Sequence, residues 1–402
     1  MAESTEPHVL IIGAGLTGLL IAHGLKTAGI QYTIFEQEDH GAYRPKEWTM
    51  GVHWGFPLME KLLPDEIAAR LISEASVDKT LDYVTPPQNG SRIYDGVSGE
   101  VLKELVAEGR LVRVSRRKLR GLISEGIEVK FGMRLKDLVY LEAGGVEAVF
   151  ENGNRVKGTV VVGADGPRSA VRSLLFPDSP EEEVQCRHLD GLVHLSTTFS
   201  YGDAEKAKHV RSAHPVWSMM IHPDVFTYVC IQDVPDADKP EDWVFFIFIV
   251  WKGEKDPNWT QQDIREIVRE KAEKIQEPFK SAILWIPEGI DLPSVDLGYW
   301  VSKEWDCRGG RATLAGDAAH PMPPYRGQGL NHAILDASKF VEVMKKIAHG
   351  GMDQKEAVKG YGDEVAKRGG EETSLSTKNA YMMLAYDEFK ESPYMKHGLS
   401  KQ

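Results

Sequence analysis

The sequence predicts an α/β fold: a discontinuous domain built on a parallel sheet, with a second, sheet-based domain inserted into it. Three observations carry this expectation. Apolar or β-branched runs at 9–12 and 159–162, and a further strand at 311–314, each lead into a glycine-rich turn, as buried parallel strands feeding loops do. Helical spacing follows the first and last of these turns. Between them, residues 184–296 change character and read mainly as strands, at 191–201, 216–221, 226–232 and 244–251.

The first turn is the most specific. It reads Gly13, Ala14, Gly15, Leu16, Thr17, Gly18. Gly13 permits the tight turn, Gly15 admits a pyrophosphate to the backbone, and Gly18 lets the next helix pack closely on the strand. Leu16, Leu19, Leu20, Ala22 and Leu25 then recur at roughly helical spacing, and Gly29 ends the helix. A second strand, 31–35, runs into Glu36, about where an acid is expected to meet a ribose hydroxyl. Strand, turn, helix, strand and acid fall in Rossmann-like register. An acid at 36 argues against a 2′-phosphate in this crevice, and leaves both NAD and FAD open.

Two further turns narrow the choice. Residues 159–162 lead into Gly163, Ala164, Asp165, Gly166, Pro167, Arg168 and on to Arg172. Residues 311–314 lead into Gly316, Asp317, Ala318, Ala319, His320, then Pro323, Pro324, Tyr325, Arg326, Gly327, Gln328, Gly329, Leu330 and Asn331. A carboxylate at a strand end beside glycine suits a ribityl or ribose hydroxyl. The Gly327–Asn331 stretch opens a predicted helix running to about 349. Its N–H groups suit a flavin pyrimidine ring, which becomes anionic on reduction.

Together these motifs resemble the class A flavoprotein monooxygenases, the aromatic-hydroxylase family. Residues 13–36 look like that family's FAD fingerprint, and 163–172 like its Asp-Gly motif, associated with FAD and NAD(P)H use. Residues 316–331 look like its Gly-Asp motif, which holds the ribityl part of FAD. Val114, Ser115, Arg116, Arg117, Lys118 and Leu119 resemble a family segment whose arginine, here Arg116, reaches the cofactor. The stretch from Arg44, Pro45, Lys46, Glu47 and Trp48 through Gly51, Val52, His53, Trp54 and Gly55 is most similar to fungal secondary-metabolite members. In the family it lies near the isoalloxazine, which makes Gly51 a cofactor candidate and His53 a catalytic one.

The resemblance implies FAD, NADPH or NADH as co-substrate, O₂, and a small organic substrate. It implies that a flavin C4a-hydroperoxide inserts one oxygen atom into an aromatic or unsaturated molecule. Pro324 matches a family position at the flavin's reactive face, where proline fixes the backbone and removes a donor. His194, His222 and Tyr228 lie on predicted strands of the second domain, each a candidate base or hydrogen-bond anchor. His320 reads as a structural residue of its turn. A dehydrogenase or reductase of the same fold, or a flavin-binding redox sensor, are the alternative functions.

Composition sets the remaining bounds. A net charge of −12, from 48 basic and 60 acidic residues, disfavours nucleic acid and anionic membrane as general partners. A basic stretch at 103–136 is a local exception, either a solvated face or a phosphate contact. Three cysteines without metal-ligand spacing suit a reducing compartment, and no metal site is expected. The start carries no basic and apolar leader, and no apolar run approaches a membrane span, so a cytoplasmic protein is expected. Oligomeric state is not legible. The expected division is an FAD-binding domain over 1–183 and 297–350, a substrate-binding sheet domain over 184–296, and a helical tail over 351–402.

Overall fold

The computed structural model describes residues 7–41 and 47–397. Arg44, Pro45 and Lys46, which carry part of the family resemblance, lie outside the described residues. Five parallel strands form the first sheet, in the order Ala312–Leu314, Val160–Gly163, His8–Ile12, Gln31–Phe35 and Val129–Lys130. The central strand's Val9, Leu10 and Ile11 are fully buried, as an unbroken apolar run covered on both faces requires. Its neighbours come from the middle and far end of the chain, so the domain is assembled from distant segments. The Leu16–Thr27 and Gly329–Ala348 helices pack against each other beside it.

The second sheet has six strands, in the order Leu192–Ser200, Val244–Lys252, Val225–Asp233, Trp217–His222, Gly90–Asp95 and Val101–Val106. The sheet is therefore not confined to residues 184–296. Trp217–His222 pairs in parallel with Gly90–Asp95, and that strand forms a hairpin with Val101–Val106. The edge strand Val101–Val106 is largely exposed and carries Lys103 and Glu104, so no apolar alternation marks it in the sequence.

Period-two alternation gives this sheet two different faces. Val229, Ile231, Phe245, Ile247 and Ile249 pack beneath the Gln261–Ala272 and Phe279–Leu284 helices. Phe226, Cys230, Phe248 and Val250 turn the other way and join the core of the first domain. The Gln261–Ala272 helix begins with a full capping box, Thr260 and Asp263 exchanging bonds with each other's backbone N–H. After Gly55 the chain forms two short helices broken at Pro64, Phe56–Leu62 and Asp65–Ala68, followed by a π-turn at Leu71–Ala75. The tail forms one long helix, Gln354–Met382, then two short ones.

Candidate FAD site and adjoining sheet face

The three glycine motifs, distant in sequence, are in contact. Gly13 has φ +104°, and a Cβ there would lie 2.4 Å from the Ala164 carbonyl oxygen, so the first motif abuts the second. A Cβ on Gly316 would lie 2.4 Å from Thr17 Oγ1, so the first motif also abuts the third. Leu16 begins the helix, with Thr17 and Gly18 behind it. Gly15 differs from its neighbours: a Cβ there meets nothing within 4 Å. The chain keeps open space where a pyrophosphate would approach.

Glu36 is 6 % exposed at the end of its strand. Its Oε2 accepts from the Ala14 N–H at 3.1 Å and lies 3.7 Å from Arg120 Nη2. Arg120 Nε also donates to the Ala14 carbonyl at 3.0 Å, so the arginine ties the turn to the acid. A cavity of about 350 Å³ opens here, lined by Ala14, Glu38, Arg116, Arg117, Arg120 and Phe131 among others. The basic stretch thus supplies three arginines to this hollow. Arg120 was not singled out in the sequence; only its place in that stretch marks it.

Asp317 lies at the surface of its turn, where the surrounding protein pushes its carboxyl above the ordinary value although His320, Arg116 and Arg172 bring positive charge near it. Arg116 itself lies over the Trp48 ring at 4.9 Å. The Gly329–Ala348 helix starts without a side-chain cap, because Gln328 Oε1 accepts instead from Trp54 Nε1 at 2.9 Å. Its first-turn N–H groups remain available to an anion. Gly327, at φ +63°, makes the preceding left-handed turn. Open space at Gly15, an arginine-bearing hollow beside Glu36, Asp317 and an uncapped helix start together fit FAD.

Several expected cofactor residues act at one remove. Asp165 spends its carboxylate on the next helix: Oδ1 accepts from Ser169 Oγ at 2.5 Å and Oδ2 from the Ala170 N–H at 2.7 Å. Asn331 is fully buried, accepting from the His53 and Gly55 N–H groups at 3.0 and 3.2 Å and donating to the Gly51 carbonyl at 3.0 Å. It fixes the Gly51–Gly55 loop, leaving only its backbone for a ligand. The Leu330 side chain lies in the core. Arg172 is 2 % exposed and donates to the Val184 and Ala318 carbonyls at 2.8 and 2.9 Å. It fastens two motifs internally, whereas Arg168 stays on the surface.

Beneath the third motif lies a buried ionic network that sequence reading missed apart from His320. Asp336 accepts from the Gly316 N–H at 2.7 Å, from His320 Nε2 at 2.6 Å and from Arg368 Nη2 at 2.6 Å. Its two cationic partners hold the carboxyl down to about 2 against the cost of burial, and Asp336 in turn raises His320. Arg368 comes from the tail helix. Gly369 sits beside it because a Cβ would press on the His320 ring at 2.7 Å.

The candidate catalytic side chains fall on two elements. Pro324 is exposed and opens a short turn, Pro324–Arg326, whose Tyr325 is buried against the second sheet. Tyr325 hydroxyl bonds His194 Nε2 at 2.8 Å, and its ring lies 6.0 Å from Phe226 and 6.1 Å from Phe248. Tyr325 was not among the expected site residues, although it lies inside the motif. Tyr228 is on the same sheet face, beside Arg113 and Cys230, and burial pushes its hydroxyl well above the ordinary tyrosine value. His222 lies at the strand end, its Nδ1 accepting from the Asp224 N–H at 3.1 Å.

Burial lowers both His53 and His194 to about 4, and also His214; His332 falls to about 3. The unfolded chain protonates these groups below about 6.5, the folded protein only well below that. Stability is therefore expected to fall as pH drops from 6.5 towards 4, and thermal unfolding across that range checks it. His194→Gln should flatten the decline. His320 has the opposite sign: its contribution is complete below 6.5 and is lost as pH rises through its raised value.

The family model described as FAD binding domain matches residues 6–369. The FAD-dependent monooxygenase phnB of Penicillium herquei is 39 % identical over 399 residues, 98 % of this chain and 95 % of that protein. The FAD-dependent monooxygenase cctM of Talaromyces islandicus is 34 % identical over 98 % of this chain and 97 % of its own length. Among solved structures, Klebsiella pneumoniae HpxO complexed with FAD and uric acid shares the fold, with a TM-score of 0.77 at 19 % identity over 99 % of this chain and 97 % of that one. The motifs, their convergence and these likenesses agree: the chain belongs to the FAD binding domain family and is an FAD-dependent monooxygenase.

Proposed function

We propose that the protein transfers one oxygen atom from O₂ to an aromatic or unsaturated small molecule at the expense of NADPH or NADH, in fungal-type secondary metabolism and in the cytoplasm. The observation that carries this reading is the shared loop. Pro324 and Tyr325 belong to the motif that would hold the ribityl chain, and Tyr325 packs on the aromatic face of the second sheet. Cofactor and substrate surfaces are thus built from one turn. The fungal relatives support the metabolic setting, and among the described residues no helix is long and apolar enough to cross a membrane.

Gly13, Gly15, Gly18, Glu36, Asp317 and the start of the Gly329–Ala348 helix would hold FAD, which when bound would carry the reducing equivalents of NADPH or NADH and activate oxygen at C4a. The chain's own task is positioning, water exclusion and electrostatics. Asn331 sets the loop carrying His53. Phe226, Phe248 and Tyr325 line a dry wall. A histidine held at about 4 is a weak base near neutrality, so His194 serves as a hydrogen-bond anchor for Tyr325.

The one glycine fingerprint is committed to FAD, so NADPH or NADH must use a transient surface site, for which exposed Arg168 is a candidate. Anaerobic reduction of the flavin band by NADPH or NADH is then expected to accelerate by about tenfold or more when substrate is present. Stopped-flow absorbance measures this. Candidate substrates come from comparing extracts of a host with and without the gene, seeking a product heavier by one oxygen atom. Equal reduction rates with and without substrate, and no oxygenated product, would move the protein to a constitutive reductase.

A further inference from the structure

The tail helix Gln354–Met382 meets the third motif along one stripe. Arg368, Glu372 and Ser376 are spaced four residues apart and so share a face. Arg368 reaches Asp336 beneath Gly316, and its Nη1 donates to His332 Nδ1 at 2.7 Å. Glu372 is buried, accepting from Arg326 Nε at 2.6 Å and from Ser376 Oγ at 3.3 Å. Arg326 and His332 flank the Gly327–Gly329 turn, so one helix face holds that turn from both sides.

The donors fix the protonation pattern. A guanidinium only donates, so His332 Nδ1 accepts and the neutral ring keeps its proton on Nε2. Nε2 faces the second oxygen of Glu372 at 3.9 Å. Burial and the nearby Arg368 hold His332 at about 3, so it adds no charge near neutrality. Trp54 closes the other side: its ring meets His332 edge-on at 5.3 Å, and its Nε1 bonds Gln328.

The charges left beside the turn are those of Arg326 and Glu372. Arg326 is largely buried, and Glu372 is its only ion-pair partner among the described residues. It stands three residues before the uncapped start of the Gly329–Ala348 helix, whose N–H groups suit the flavin pyrimidine. We propose that Glu372 is a positioning residue of the flavin site. By binding Arg326 it fixes the Pro324–Gln328 loop and cancels the arginine's charge, so the tail helix sets the reduction potential of bound FAD. Reduction places negative charge on the flavin ring, and an uncompensated cation nearby would favour the reduced form.

Anaerobic titration of the FAD-loaded protein against a reference dye reads that potential. Neither oxygen nor substrate enters the measurement, so its outcome is separate from that of the oxygen-transfer reading. Glu372→Gln leaves Arg326 uncompensated. At a fixed potential it is expected to raise the reduced-to-oxidised ratio by about threefold or more, about 14 mV for a two-electron couple. Arg326→Gln should shift the ratio the other way. The double variant should return to within about a factor of two of wild type, and Glu372→Asp, which keeps the charge, should stay there. Asp363→Asn removes a carboxylate that pairs with Lys359 at the surface of the same helix, and should change nothing. A merely structural pair would weaken FAD binding in both single variants without shifts of opposite sign. Recovery of FAD loading and potential in the double variant sustains the charge balance even where a single variant loads poorly. Single-variant potentials that move together or not at all, or a double variant that loads no FAD, overturn the proposal.

Discussion

Gly18→Ala is expected to leave little folded protein, whereas Gly15→Ala is expected to fold normally and fail to hold FAD. The two glycines lie in one turn but face different constraints. A Cβ on Gly18 would sit 2.0 Å from the Gly13 carbonyl oxygen, a backbone atom that cannot move without displacing the strand. Overpacking costs typically about 1–3 kcal/mol, and against a fixed backbone atom the cost lies at or beyond the top of that range. Gly15 has φ −76°, which alanine adopts freely, and open space beyond its Cβ position. Its replacement should change the stability of the cofactor-free protein by less than about 1 kcal/mol. The added methyl would instead occupy the space a pyrophosphate needs, and a loss of about 2–3 kcal/mol of binding corresponds to roughly thirty- to more than a hundredfold in affinity. Thermal unfolding of stripped protein and an FAD titration separate the two outcomes. Equal FAD affinity in Gly15→Ala and wild type would remove the pyrophosphate from this turn.

Asp336→Ala is the second large effect. The carboxylate is fully buried between His320 and Arg368 and also takes the Gly316 N–H. Its removal leaves buried His320 without its counter-charge and Arg368 with Glu364 as its remaining acid, a loss of about 3–5 kcal/mol. Asp336→Asn keeps the shape and loses the charge, so it should fall between. The carboxyl is held at about 2 against an ordinary 3.8. Its stabilisation is therefore complete above 3.8 and fades as pH falls towards 2, so the gap between wild type and variant should narrow there. Denaturant unfolding at a series of pH values measures this. Because Asp336 anchors the backbone of Gly316, the surviving variant should also bind FAD more weakly.

The sequence revealed those parts of the site whose constraints are local. Gly13, Gly15 and Gly18 follow one strand within one turn, and Glu36 ends the next strand, so spacing alone places them together. The strands over 191–251 were legible within a residue or two because both faces are covered and their residues are apolar or β-branched. The Gly90–Asp95 and Val101–Val106 hairpin was not, because its edge strand faces solvent and alternates no apolar residues. The Asp336–Arg368 pair joins two helices whose contact nothing in either segment announces. Asp165 and Asn331 were found in their motifs, but the sequence could not show that their side chains bind the protein itself. Tyr325 was hidden for the reverse reason: its partner His194 lies on a distant strand.

The most direct test of the account is to purify the protein, record its flavin spectrum, and measure the FAD released by acid or heat. The account predicts yellow protein holding a single non-covalent FAD per chain, with affinity lowered in Glu36→Ala and Asp317→Ala by about 1.5–3 kcal/mol each. A colourless protein that takes up no added FAD, or variants with wild-type affinity, would contradict the assignment of these motifs to the two ends of one cofactor.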